Sequence, residues 1–195
     1  MSTTRTQPQF LITLRGPAGA GKTALAKSVQ AAADQLVATI DSDLFNWEIV
    51  PGESDKALVY RNLVMLAENY LRGGYSVVVS GLIISSEEAG AMQKLRQFAA
   101  SRGAVLLDFY CSASRDLVVQ RNRTRYKQVP EAAVLRWWER AELDKPNVSW
   151  ELITLDMSAE LSSLTGQVLA TVDAAHGQLL ASGTSPPESR LRQDS

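Results

Sequence analysis

Two residue types that build chemistry are nearly missing from these 195 residues: there is one cysteine, Cys111, and one histidine, His176. A single thiol cannot close an intramolecular disulfide, and there is no Cys/His cluster from which to build a zinc site. A reducing compartment, the cytoplasm, is the simplest expectation. Cys111 follows an apolar run and reads as a small buried side chain, not a nucleophile. His176, late in the last helical stretch, reads as a surface residue. An excess of one charge sign is also lacking. Twenty Lys and Arg against 21 Asp and Glu leave a formal charge of −1, so no broad basic field draws in nucleic acid or an anionic membrane. No apolar run approaches transmembrane length, and Met1–Pro8 is polar, without the apolar centre of a signal peptide. With 45% apolar residues the chain can bury one sizeable core. A soluble, intracellular protein is expected.

What is present in full is the stretch Gly16-Pro17-Ala18-Gly19-Ala20-Gly21-Lys22-Thr23, which fits the pattern G-x-x-x-x-G-K-[ST]. The apolar run Phe10–Leu14 leads into it and a helical pattern starts at Lys22, so the loop falls between a strand and a helix. Glycines let such a loop curl until its backbone N–H groups converge on one point. The helix start, with Ala24 in its first turn, adds its positive dipole end there. This mould fits a nucleoside triphosphate. Lys22 would reach the β- and γ-phosphates, and the Thr23 hydroxyl would take a place on Mg²⁺. The guanine-reading pattern Asn-Lys-x-Asp is absent, which points to ATP.

Apolar periodicity places strands at 10–14, 37–40, 75–79, 104–110 and 150–155. Helices are expected over 22–36, after Ser54 as far as the Gly73-Gly74 stop, over 85–102, from Ser112–Ser114 onward, and over 130–143 and 158–180. Leu44–Trp47 reads as a short turn or helix start. Tyr75–Val79 is a continuous β-branched run without alternation, the signature of a strand buried on both faces. Strands alternating with helices give an α/β fold, a five-stranded parallel sheet covered on both sides. One domain over residues 9–181 is expected, with an Arg-rich lid at about 121–145. The ends, 1–8 and 182–195, are expected to be disordered.

In an open parallel sheet the ligand sits at the carboxyl ends of the strands. The second strand is followed by Asp41-Ser42-Asp43, the third by Ser80-Gly81, and the fourth by Cys111–Ser114 and then the arginines. If Asp41 to Asp43 stays extended, both carboxylates point the same way, toward the γ-phosphate. One can hold the metal while the other accepts the proton of an attacking hydroxyl; capping the next helix is the structural alternative for either. Asn46, Trp47 and Gly81 are the remaining candidates for the acceptor side. In Arg121-Asn122-Arg123-Thr124-Arg125-Tyr126-Lys127, a helix would place Arg121 and Arg125 on one face. One of them would act as an internal arginine finger. Arg123 reads as a solvated charge, pairing with Glu131 or Glu139. Of Trp137 and Trp138, one is expected to pack into the core or under the lid. The other is expected to be free to stack on a base or aromatic substrate.

Phosphate loop, Asp-x-Asp after the second strand and an Arg-rich segment before the last strand together resemble the small P-loop kinases. Shikimate kinase has a similar acidic pair; polynucleotide 5′-kinase and chloramphenicol phosphotransferase have an Asp there that acts as base. The resemblance spans roughly residues 10–175, and its one specific motif is the loop. It implies the three-layer sandwich of P-loop NTPases, ATP with Mg²⁺, Asp43 as base and Asp41 near the metal. This sequence departs from similar polynucleotide kinases in having Asn46 where they place an Arg, and Ser80-Gly81 where they often carry an Asp. A Ser-Gly turn there leaves room for a substrate against the backbone, as in shikimate kinase.

The function expected is transfer of the γ-phosphate of ATP to a hydroxyl of a small molecule. The alternative acceptor is a hydroxyl on a nucleotide or nucleic acid, such as a 5′-end or a hydroxymethyl base, bound through the basic, aromatic stretch 121–140. A third reading, an ATP-hydrolysing switch or partner-dependent ATPase, fits less well because no acid follows Tyr75–Val79. No sequence feature speaks to oligomeric state.

Overall fold

The computed structural model describes residues 8–49, 55–81, 85–125, 128–145 and 151–181. Five strands, β1 (Phe10–Arg15), β2 (Val37–Asp41), β3 (Ser76–Ser80), β4 (Val105–Ser112) and β5 (Ile153–Asp156), form one parallel sheet in the order β2-β3-β1-β4-β5. The helices between them are α1 (Lys22–Ala32), α2 (Lys56–Arg72), α3 (Ser85–Ser101), α4 (Arg115–Thr124), α5 (Glu131–Asp144) and α6 (Leu161–Ala181). A π-helical turn, Leu44–Glu48, follows β2.

Alternation along β1 builds the three layers. Phe10, Ile12 and Leu14 join one core with Leu25 and Val29 of α1 and Val168 and Val172 of α6. Leu11 joins the other, with Leu63 and Leu71 of α2 and Met92 and Leu95 of α3. Because β1 is central, all six of its residues are buried, and Thr13 and Arg15 must find polar company inside. Asp108 of β4 supplies it: it accepts from the Thr13 hydroxyl, pairs with Arg96 of α3, and stands 3.8 Å from Arg15 Nε. Burying a carboxylate is tolerable only with such neighbours.

Several element ends differ from the apolar pattern for local reasons. α2 begins at Lys56 because the Asp55 carboxylate caps it, accepting from the N–H groups of Ala57 and Leu58 at 2.9 and 3.2 Å; Ser54 lies outside the described residues. β5 starts at Ile153, where pairing with Phe109 of β4 begins. α6 starts at Leu161, because Ser158 and Ala159 form a turn on Asp156. His176 is buried, not on the surface, since it continues the α6 face of Val168 and Val172 at a spacing of four. It borders a cavity of about 80 Å³ beside Phe10 and Ala33. Burial holds its imidazole below the usual pKa. Of the two ends expected to be disordered, 1–8 and 182–195, all but Pro8 lie outside the described residues. No helix among the described residues is long and apolar enough to cross a membrane.

Gly16, where β1 turns into the loop, has φ +127°. A methyl group there would stand 2.6 Å from the Cys111 carbonyl oxygen of β4. Backbone in a central strand cannot step aside, so Gly16→Ala should cost about 1–3 kcal/mol of overlap and roughly another 1–2 kcal/mol for the left-handed backbone. The expected result is a large fall in Tm by thermal melting. A change under 2 °C would mean that β1 and β4 separate easily there.

Candidate active site

Three glycines, Gly16, Gly19 and Gly21, take positive φ between β1 and α1. Gly21 is the N-cap of α1 with φ 103°, no side chain among the described residues caps that helix, and no acid stands in its first turn. The helix therefore presents its N-terminal N–H groups to an anion instead of to its own chain. Ala18, Gly19, Gly21, Lys22, Thr23 and Ala24 line a cavity of about 440 Å³ above them. The Lys22 ammonium lies against its own loop, donating to the Gly16 and Pro17 carbonyls at 2.8 and 2.7 Å. Desolvation by burial lowers its pKa, a pull the carboxylates of Asp41 and Asp43 oppose.

Asp41 ends β2 opposite Ser80 of β3. Its carboxylate accepts from the Thr23 hydroxyl at 2.7 Å, from the Asp43 N–H at 3.0 Å and from the Ser80 hydroxyl at 3.3 Å. A hydroxyl and a carboxylate oxygen thus stand together at the lip of the phosphate loop. Asp43 lines the same cavity. Burial, and next the Asp41 charge, raise its pKa, while Lys22, Arg125 and Lys56 pull it back. The segment is not extended: helical turn begins at Ser42 and runs into the π-helical residues. Tight curvature, not strand alternation, brings the two carboxylates near each other.

The acceptor-side candidates separate. Asn46 is buried and braces the turn: its amide donates to the Ser42 carbonyl at 3.1 Å, and its carbonyl accepts from Lys56 Nζ at 2.8 Å. It is not in the cavity wall. Gly81 is in the wall, but the space above its Cα is filled by Ser42, not open to a substrate. The Trp47 side chain lies outside the described residues.

Both Arg121 and Arg125 reach the cavity, although the single-helix argument for them does not hold. α4 stops at Thr124 and Arg125 is extended. The Asn122 side chain ends it by holding Val129 in both directions, donating to its carbonyl at 2.8 Å and accepting its N–H at 3.2 Å. Arg121 is tied down, donating to the Ala20 carbonyl at 2.5 Å and the Met157 carbonyl at 2.8 Å. Arg125 is exposed, and its charge bears on both Lys22 and Asp43. Arg123 points away and pairs with Glu131 at 3.0 Å. At 70% side-chain exposure such a pair contributes under about 1 kcal/mol, so Arg123→Ala should leave turnover and melting nearly unchanged. A tenfold loss of turnover would put Arg123 in the site. Trp138 packs against the core, donating from its indole N–H to the Ala113 carbonyl at 2.8 Å.

A family model for the AAA domain matches residues 11–143, the span from β1 to the end of α5. The chain belongs to the AAA-domain family. Among solved structures it is similar to a gluconokinase from Sinorhizobium meliloti, with TM-score 0.64 at 16% identity over 91% of this chain and 99% of that one. It is also similar to a sugar kinase from a Janibacter species, with TM-score 0.62 at 16% identity over 87% of this chain and 98% of that one. The shikimate kinase of Acinetobacter baumannii, solved with shikimate, gives TM-score 0.53 at 17% identity, covering 89% and 98% of the two chains. At such identities the likeness is one of fold: this AAA-domain chain has the fold of the small P-loop kinases. No curated protein sequence matches it.

One wall of the cavity leaves little trace in the sequence. Met157, Ala159, Leu161 and Leu164, after β5, close it with an apolar surface that begins beside the loop, Met157 Cε standing 3.5 Å from where a methyl group on Gly21 would lie. The strand-end rule that found Asp41 and Gly81 also points here once it is carried to the fifth strand. The signal was weak because Met157-Ser158-Ala159 carries no charge.

Proposed function

We propose that this AAA-domain protein is an ATP-dependent phosphotransferase that moves the γ-phosphate of ATP to a hydroxyl of a small-molecule acceptor. The observation that carries the reading is the placement of Asp43. It is a carboxylate with a raised pKa in the same cavity as the uncapped α1 N-terminus and Lys22. The triphosphate lies in the loop Gly16–Thr23, with the base against Met157, Ala159 and Leu164. Thr23 and Asp41 offer two hard oxygen donors 2.7 Å apart, which fits Mg²⁺, an ion that keeps several waters and takes few protein ligands. When bound, the ion neutralises charge on the β- and γ-phosphates. Asp43 accepts the acceptor's hydroxyl proton as the oxygen attacks the γ-phosphorus in line and the bond to the β,γ-bridging oxygen breaks. Lys22 and Arg125 hold negative charge on the transferring group.

Sugar kinase, gluconokinase and shikimate kinase among the similar structures support a small hydroxylated acceptor. A nucleic-acid acceptor is less well supported. Of the basic, aromatic stretch proposed for it, Arg123 is ion-paired and Trp138 faces the core. The test is transfer of labelled γ-phosphate to two pools, hydroxylated small molecules and nucleic acids with free 5′-ends. Label is expected in the first pool; label that reaches only water would overturn the kinase reading in favour of an ATPase.

A further inference from the structure

Ser42 lies between the two acids of the site. It is fully buried, and its hydroxyl oxygen has no hydrogen-bond partner among the described residues. A serine kept there without a bond is held by shape. Its neighbour is Gly81, at the end of β3, with φ +119°. A methyl group on Gly81 would stand 2.1 Å from Ser42 Oγ and 3.0 Å from both Ser42 Cβ and Asp41 Oδ1. From the other side the Asn46 amide holds the Ser42 carbonyl, and Lys56 holds Asn46. Ser42 is thus gripped between the β3 end and the π-helical turn.

We propose that Gly81 is a positioning residue: by having no side chain it admits Ser42 beneath the end of β3, and that wedge sets where Asp41 and Asp43 stand. The turn needs such a grip because two neighbouring carboxylates repel and would otherwise splay. The same contact leaves no room for an acid at position 81, since a side chain there would overlap Ser42. The inference rests on the reading of Asp41 as the metal carboxylate and Asp43 as the base. Gly81 acts through both, since the space above it is taken by Ser42 and not by an acceptor.

The test uses the full chain with Gly81→Ala, and Gly74→Ala as the control. Gly74 also has positive φ, +87°, but nothing among the described residues lies within 4 Å of a methyl group there, so it reports backbone strain alone. Two readouts need no acceptor: the gain in ATP affinity on adding Mg²⁺, and the titration of the Asp43 carboxyl followed by carbon NMR without nucleotide. Gly81→Ala is expected to cut the Mg²⁺ gain about tenfold and to move the Asp43 titration, with Mg²⁺-free ATP affinity unchanged. Gly74→Ala is expected to do neither. Adding Ser42→Gly to Gly81→Ala removes the two Ser42 contacts and is expected to restore at least a third of the gain. If Gly81→Ala only raises the KM of the acceptor, with both readouts unmoved, Gly81 is an acceptor contact and the proposal falls. Should Gly81→Ala not fold, Ser42→Gly alone carries the test. It is expected to loosen the turn and reduce the Mg²⁺ gain at least threefold, and no change overturns the proposal. If the wild type phosphorylates no acceptor, the kinase reading fails, but these two readouts still decide the role of Gly81.

Discussion

Asp43→Asn is expected to lower acceptor phosphorylation by about 10²–10⁴-fold, the usual worth of a positioned general base, while ATP affinity stays within about threefold. Asparagine keeps the shape and cannot take the proton. The pH profile checks the same assignment in the wild type. Asp43 must be ionised to act, and burial beside Asp41 raises its pKa. The acid limb of kcat/KM should therefore lie above the ordinary carboxylate range near about 4 and be missing from the residual activity of the variant. Stability moves the opposite way. In the window between the ordinary carboxylate pKa and the raised native one, the native state binds more protons than the unfolded chain. Stability therefore falls as pH rises through that window, and above it the loss is complete. Asp43→Asn escapes that loss and should melt higher than wild type at neutral pH, an advantage that fades as pH drops below the window. Undiminished transfer, or a lower melting temperature at neutral pH, would remove Asp43 from its role.

The two cavity arginines should separate in kinetics. Arg125→Ala is expected to reduce kcat by about 10²–10³-fold, the range for losing one transition-state donor, with little change in the KM for ATP. Arg125 is exposed at the end of α4 and close enough to influence both Lys22 and Asp43 electrostatically. Arg121 already holds the Ala20 and Met157 carbonyls, joining the phosphate loop to the apolar wall after β5. Arg121→Ala removes two charge-assisted bonds, each about 1.5–3 kcal/mol. It should raise the KM for ATP about tenfold or more and lower thermal stability, with a smaller effect on kcat. Equal losses of kcat in both variants at unchanged KM for ATP would show that both arginines act on the moving phosphoryl group.

The parts of this protein that are local in the chain could be read from it directly. The phosphate loop is eight consecutive residues whose glycines and lysine carry their own conformational requirement. The parallel sheet follows from uninterrupted apolar runs separated by helical periods, because a strand buried on both faces admits no alternation. Arg123 could be set aside because Glu131 lies within reach along the same chain. Element ends were less legible where a side chain decides them. Asn122 stops α4 through Val129, and the turn on Asp156 delays α6; neither contact leaves a periodic trace.

The acidic pair marks the boundary between the two kinds of information. That Asp41 and Asp43 follow a strand beside the phosphate loop was determined by sequence alone, through spacing and the strand-end rule. How they come together was decided by tertiary structure. Gly81 is 38 to 40 residues away in the chain, yet its missing side chain makes room for Ser42. Asn46, chosen from sequence as an acceptor contact, turns inward to hold that same turn. Likewise the apolar wall from Met157 to Leu164 becomes part of the site only when β5 pairs with β4. Sequence specifies which groups can do chemistry, because that lies in their atoms. Packing specifies which of them face the cavity, because the space at one residue is set by others that are neighbours only in the folded chain.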